Sequence, residues 1–190
     1  MPFLMLYLCT GNICRSPLAE RYTASRLAQA GLADSVLVSS AGVRALEGHP
    51  MDAWAEAELV RLGGRGDGFA GRRLVAAHVE SADLVLTMTR AHKAAALGEC
   101  PTALRRTFTL LEAADLAGQV AAGDAPIAGP AQLVAGMAAR RSEVRLQEYD
   151  VDDPIGCPPE VHAAVAGVIV TAVDEVLAAL VPLMAQIAVD

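Results

Sequence analysis

Four short apolar runs punctuate the chain: Phe3–Leu8, Ser35–Ala41, Asp83–Met88 and Thr107–Leu110. Each has the length of a strand, and none shows the strict polar alternation of a strand with one wet face, so burial on both faces is expected. Helical spacing of apolar residues falls between them, at 17–30, 51–62, 76–82, 90–97 and 111–117. Strands that alternate with helices predict an α/β fold, a parallel sheet of about four strands with helices on both faces. Residues 117–130, rich in Ala, Gly and Pro, read as an exposed linker or loop. Ala131–Gln147 reads as helix, with Arg140, Arg141 and Arg145 on a polar face. In the last apolar segment, Val161, Val165, Ile169, Val176, Leu180, Leu183 and Ile187 recur close to a helical stripe. His162, Asp174, Glu175, Pro182 and Gln186 interrupt that segment, which therefore reads as a core helix rather than a membrane span.

Length and charge narrow the class. The 190 residues fit a single domain, 1–190, with an extension around 117–147. A formal charge of −7 argues against nucleic acid as a partner. Fourteen arginines against one lysine, Lys93, read as codon bias rather than function. Met1-Pro2-Phe3 carries no basic start of a targeting segment, so a soluble, cytoplasmic protein without membrane insertion is expected. The four cysteines, 9, 14, 100 and 157, are spaced for neither a disulfide framework nor a zinc site. Cys157 and His162 lie five apart, but Pro158 and Pro159 intervene and no other ligand is near in sequence. His49, His78 and His92 read as surface or loop residues, and no metal or other cofactor is expected.

The chemistry is concentrated after the first strand, in Cys9-Thr-Gly-Asn-Ile-Cys-Arg15-Ser16-Pro17. A strand leads in and a helix leads out. Gly11 can take positive φ and Asn12 tolerates it, so backbone N–H groups can converge on one anion. Pro17 suits a first helical turn, whose free N–H groups add a positive end to the same spot. The loop therefore reads as an oxyanion cradle with a sulfur at its floor, in a field that favours thiolate over thiol. Right-handed crossovers would set it at the carboxyl end of a central strand, where open α/β sheets bind ligands. Cys100 to Arg106 repeats the Cys-to-Arg spacing, but Pro101 removes a needed N–H, no glycine is present and a strand follows. That second match is a decoy.

A thiolate that displaces a phosphate ester needs an acid for the departing oxygen. Asp150-Val-Asp-Asp-Pro-Ile-Gly156 is a turn by composition, and it offers two candidates. Asp153 is stiffened by Pro154 behind it, and Asp152 is its rival.

Cys9-Thr-Gly-Asn-Ile-Cys-Arg-Ser16, with Pro-Leu-Ala-Glu20, resembles the low-molecular-weight protein tyrosine phosphatases. The likeness continues through Ser39–Val43, Gly48-His-Pro50, Arg72-Arg-Leu74, Ala82–Met88, Phe108–Glu112 and Asp153-Pro-Ile-Gly156. The resemblance implies a hydrolase, a protein tyrosine phosphatase that acts through a phosphocysteine intermediate without a metal. It implies Cys9 as nucleophile, Arg15 as the bidentate ligand of the phosphoryl oxygens and Asp153 as general acid. Thr10, Gly11, Asn12, Ile13, Cys14 and Ser16 would bind the phosphate. Ser16 would also donate to the thiolate, and Asn12 would brace the loop with Ser40 behind it. The implied partner is a phosphotyrosine protein, in bacteria an autophosphorylating tyrosine kinase or a protein of polysaccharide assembly.

Three positions depart from that pattern. Phe69 stands where members often carry a histidine that helps hold the loop, which predicts an altered or absent brace. Ile155 replaces a common aromatic wall after the Asp-Pro, and Val43–Glu47 adds no aromatic. Two rival activities share the fold. Arsenate reduction would need further cysteines near the third strand, where this chain has Met88 and then only Cys100. Phosphoarginine phosphatases tend to carry threonine where this chain has Ile13, and an apolar residue there better tolerates an aromatic ester. Cys14, five residues from Cys9, is also expected to trap an oxidised Cys9 as a reversible disulfide.

Overall fold

The central strand β1 (Phe3–Cys9) is apolar throughout because both of its faces are covered. Its odd residues, Phe3, Met5, Tyr7 and Cys9, enter the larger of two apolar clusters, whereas Leu6 and Leu8 enter the smaller. β2 (Val36–Gly42) and β3 (Leu84–Thr87) pair with β1 on either side, and β4 (Thr107–Thr109) pairs with β3. All pairs are parallel, in the order β2-β1-β3-β4. The computed structural model describes residues 1–123, 126–144 and 148–187. The expected α/β sheet is therefore present, each strand within a residue or two of its predicted bounds.

The larger cluster is closed by α1 (Arg15–Gln29), α2 (Ala53–Arg61), α5 (Leu110–Ala121), α6 (Pro130–Ala139) and α7 (Pro159–Ile187). The smaller is closed by α3 (Ala76–Ser81) and α4 (Arg90–Glu99). A 3-10 helix, Pro101–Arg106, occupies the decoy segment and leads directly into β4. By length and composition α7 could cross a membrane. Its Val165, Ile169, Val173, Val176 and Leu180 are buried instead, and it packs on α1, α2 and α5 as a core helix.

Two predicted elements are corrected. The segment 117–130 is not all loop, because α5 continues to Ala121 with Leu116, Ala117 and Val120 buried. A capping box between Thr109 and Glu112 starts this helix, and packing on α7 carries it past Gly118. The helix predicted over 131–147 ends at Ala139 and gives way to a 3-10 turn, Arg141–Glu143. Arg141 is drawn inward rather than lying on a polar face. It donates to the Thr107 carbonyl at 2.9 Å, pairs with buried Glu112 at 3.0 Å and lies 4.5 Å over the Phe108 ring. Those contacts outweigh helix propensity at the turn. Arg145 and Gln147 lie outside the described residues.

Candidate active site

Cys9 ends β1, opposite Gly42 of β2, and the chain then curls through Asn12 at φ 53° before α1 begins at Arg15. The curl is held from outside by its carbonyls. Those of Cys9, Thr10, Gly11 and Ile13 accept from the N–H groups of Val43, Arg44, Leu46 and Asp52, at 2.7–3.0 Å. With the carbonyls turned outward, the loop's N–H groups are left to face inward, as an anion nest requires. Close approach makes this possible: a Cβ on Gly42 would stand 2.6 Å from the Thr10 carbonyl oxygen, and one on Gly71 would stand 2.7 Å from that of Leu46. The first turn of α1 carries no acidic side chain to compete with a bound anion.

Cys9 Sγ lies 2.9 Å from Ser16 Oγ and 3.3 Å from the Asn12 N–H that donates to it. The direction of the serine bond follows from its neighbours. Asn12 Oδ1 accepts the Arg72 N–H at 2.8 Å, so its Nδ2 must face the other way. Nδ2 donates to Ser16 Oγ at 3.0 Å and to Ser40 Oγ at 2.7 Å, using both its hydrogens. Ser16 therefore turns its own hydrogen to sulfur, and Ser40 gives its hydrogen to Glu20 at 2.6 Å. Burial raises the pKa of Glu20, an effect that the Ser40 bond opposes.

Arg15 is only 3% exposed. Its Nη1 donates to the Val151 carbonyl at 3.0 Å, and Nη2 meets Asp153 and, at 3.4 Å, Thr10 Oγ1. Nε is buried with no partner among the described residues, a donor that a phosphoryl oxygen would satisfy. The Asp-Pro turn is tied down by Val151 N–H to the Met88 carbonyl at 2.7 Å and by the Arg90 N–H to Asp150 Oδ1 at 2.8 Å. That anchoring places Asp153 on a cleft of about 220 Å³ whose floor is Cys9 and Arg15 and whose rim is Ile13, Leu46, Arg44 and Ile155. Asp152 borders only the neighbouring groove, whereas Asp153 borders both.

A family model for low molecular weight phosphotyrosine protein phosphatase matches residues 4–132. The chain belongs to this family. It is 40% identical over 104 residues to the Escherichia coli (strain K12) low molecular weight protein-tyrosine-phosphatase Etp, a match that covers 55% of this chain and 66% of that one. It is 30% identical to the protein-arginine-phosphatase of Geobacillus stearothermophilus over 174 residues, 92% of this chain and 93% of that one. A crystal structure of the low molecular weight protein tyrosine phosphatase from T. tengcongensis superposes with a TM-score of 0.70 at 26% identity, over 94% of this chain and 99% of that one.

The brace on Asn12 is present, supplied by Ser16, Ser40 and the Arg72 backbone. Phe69 instead lies beneath the Arg21 guanidinium, 5.5 Å from ring centre to carbon. Ile155 and Leu46 stand 47% exposed at the rim. Met88 is fully buried at the end of β3, and Cys100 belongs to the smaller apolar cluster. Cys14 is a free, buried thiol, and its Sγ lies 3.8 Å from His162 Nδ1. Burial first, then the Asp52 and Cys9 charges, push its pKa far above that of an ordinary thiol.

His92 corrects the sequence reading, being buried at 5% exposure rather than a surface or loop residue. Its Nε2 is 3.0 Å from Thr10 Oγ1 and its Nδ1 is 2.9 Å from Thr89 Oγ1, so it ties the start of α4 to the cradle. Burial first, then the Arg15 charge, lower its pKa from 6.5 to about 4. The folded protein thus binds fewer protons here than the unfolded chain does, and stability falls as pH drops from 6.5 toward about 4. His92→Gln is expected to flatten the decline of Tm across that window; thermal melts that fall equally steeply in both proteins would refute the linkage. Glu20, Arg72, Gly42 and His92 had no roles in the sequence reading. Glu20, Gly42 and Arg72 are visible in the sequence only as parts of the family likeness.

Proposed function

We propose that the chain hydrolyses phosphotyrosine, an aryl phosphate monoester, in proteins through a phosphocysteine on Cys9. One observation carries the reading: Cys9 Sγ, backed by Ser16, shares an apolar-rimmed cleft with Arg15 and Asp153. In the first step the thiolate attacks phosphorus and the P–O bond to the aryl group breaks. The bound phosphoryl group takes the place of Asp153 at Arg15 Nη2, and Asp153, freed and protonated, gives its proton to the leaving phenolate while Arg15 Nε and Nη2 and the cradle N–H groups hold the charged oxygens. In the second step Asp153 takes a proton from water, whose oxygen attacks phosphorus, releases Cys9 and yields inorganic phosphate. The nest and Arg15 supply the positive field, so no metal enters either step.

Asp153, not Asp152, is the acid in this scheme. Asp153→Asn is expected to slow esters with poor leaving groups far more than those with good ones, which depart without a proton. Rates across a series of substituted phenyl phosphates test this, and the opposite pattern in Asp152→Asn would reverse the assignment.

The Geobacillus relative's near-full match favours a second reading, hydrolysis of phosphoarginine. Ile13 on the cleft wall argues for the aryl ester, since it offers a phenyl ring apolar contact and a guanidinium no acceptor. Profiling purified protein against phosphotyrosine, phosphoserine and phosphoarginine peptides, and arsenate with a thiol, separates the readings. A preference for phosphoarginine or arsenate would overturn the first.

The wider setting is also our proposal. The enzyme acts in the cytoplasm on a phosphotyrosine protein, in bacteria a tyrosine kinase or a protein of polysaccharide assembly. Residues 117–147 are a lengthened loop and helix within a single-domain scaffold. Cys14 protects oxidised Cys9: its sulfur displaces hydroxide from the Cys9 sulfenic acid, water leaves, and a disulfide forms that dithiol later reduces. His162 is the base beside it. After peroxide and then dithiothreitol, wild type should regain most activity and Cys14→Ala should not; equal recovery would make Cys14 a packing residue.

A further inference from the structure

Cys14, Asp52 and His162 come from three places, the end of the cradle, the cap of α2 and the first turns of α7. In sequence these ligands are far apart, Cys14 lying 148 residues from His162. In the fold, a thiol sulfur, a carboxylate oxygen and an imidazole nitrogen lie within 4.8 Å of one another. His162 Nδ1 is 3.8 Å from Cys14 Sγ and 3.5 Å from Asp52 Oδ1. One nitrogen thus faces both partners, which is unlike a Cys-His-Asp relay, where the two ring nitrogens serve one partner each. Three donor atoms converge on one point.

The spacing has a chemical meaning. Bonds of about 2.3 Å to sulfur and about 2.0–2.1 Å to nitrogen and oxygen, at tetrahedral angles, set donor atoms roughly 3.4–3.6 Å apart. The sulfur–nitrogen edge of 3.8 Å exceeds that range slightly, the nitrogen–oxygen edge of 3.5 Å falls within it, and the third pair lies within 4.8 Å, so a bound ion must draw sulfur and carboxylate together. The donor set, one thiolate, one imidazole and one carboxylate, suits a borderline-soft divalent cation better than Mg²⁺ or Ca²⁺. Asp52 is already oriented, because Oδ1 accepts the Trp54 and Ala55 N–H groups at 3.0 and 3.1 Å. The Asp52 N–H also donates to the Ile13 carbonyl at 2.7 Å, which locks the cap to the cradle. Access runs through the catalytic cleft, whose lining includes Cys14.

We propose that Cys14, Asp52 and His162 form a three-ligand site for a zinc-class divalent cation at the edge of the phosphate cradle, to which Cys14 itself belongs; while the ion is bound, Cys14 is not free to form a disulfide with Cys9. Binding releases the Cys14 thiol proton to solvent, the sulfur joins the metal as thiolate, and water completes the coordination. Nothing in it depends on the phosphatase reading.

Cobalt(II), titrated into the purified full chain under reducing conditions, tests the site without any assay of activity. Wild type is expected to bind one equivalent, with the intense thiolate-to-cobalt charge-transfer absorption of a single sulfur ligand. Zinc should displace it. Cys9→Ser should keep the band, since Cys9 is not a ligand. Cys14→Ala should abolish it, and His162→Phe should weaken binding at least about tenfold. Asp52→Asn keeps a good helix cap and so should fold normally, yet it should also bind cobalt more weakly. No band in wild type, or a band that survives Cys14→Ala and vanishes in Cys9→Ser, would overturn the proposal.

Discussion

Cys9→Ser is expected to abolish hydrolysis of aryl phosphates, with a loss on the order of 10⁴-fold or more, because the other thiol on the cleft, Cys14, faces His162 and burial pushes its pKa far above that of an ordinary thiol. Binding of inorganic phosphate should survive. The nest is built by backbone N–H groups whose carbonyls are held from outside by residues 43–52, and none of those bonds uses the sulfur. Replacing a thiolate by a hydroxyl also removes a negative charge from beneath a dianion. Wild-type turnover should survive a chelator, since the positive field comes from the nest and Arg15. Steady-state rates and phosphate titration measure the three outcomes. Full activity in Cys9→Ser, or loss of wild-type activity on chelation, would contradict the mechanism.

Arg15→Lys should be nearly as damaging as Arg15→Ala, each costing on the order of 10²-fold or more in turnover. Arg15 is not a loose surface cation. Its Nη1 is fixed on the Val151 carbonyl, which aims the Nε and Nη2 edge along the cradle. A lysine carries a point charge without that edge, so it can grip one oxygen but not two in a fixed plane. It would also leave the Val151 carbonyl without its partner. Near-normal turnover in Arg15→Lys would refute the bidentate role.

The fold was legible because each strand is a short apolar run bounded by polar or glycine-bearing turns, and the sheet buries both faces of β1. The cradle was legible because its residues are contiguous. Beyond about residue 117 local pattern lost to tertiary contact. Leu116, Ala117 and Val120 extend α5 against α7, and Arg141 abandons a helix for Glu112 and the Thr107 carbonyl. His92 was misplaced for a similar reason: its role depends on Thr10, 82 residues away, and no local spacing records that distance. The Cys14–His162 contact, across 148 residues, was hidden in the same way. Asp153 lies between these cases. The turn was readable, but the choice over Asp152 rested on the family likeness, and the anchoring through Val151 and Asp150 supplies a physical ground for it.

The central claim, a phosphoryl group carried on Cys9, is open to one direct measurement. Asp153→Asn protein mixed with p-nitrophenyl phosphate should still be phosphorylated, because that leaving group needs no acid, but it should lose the base that activates water. Rapid acid quenching, proteolysis and mass spectrometry should then find one added phosphoryl group on the peptide that contains Cys9, absent from the same peptide of a Cys9→Ser, Asp153→Asn double variant. A phosphoryl group on another residue, or turnover without any adduct, would contradict the account.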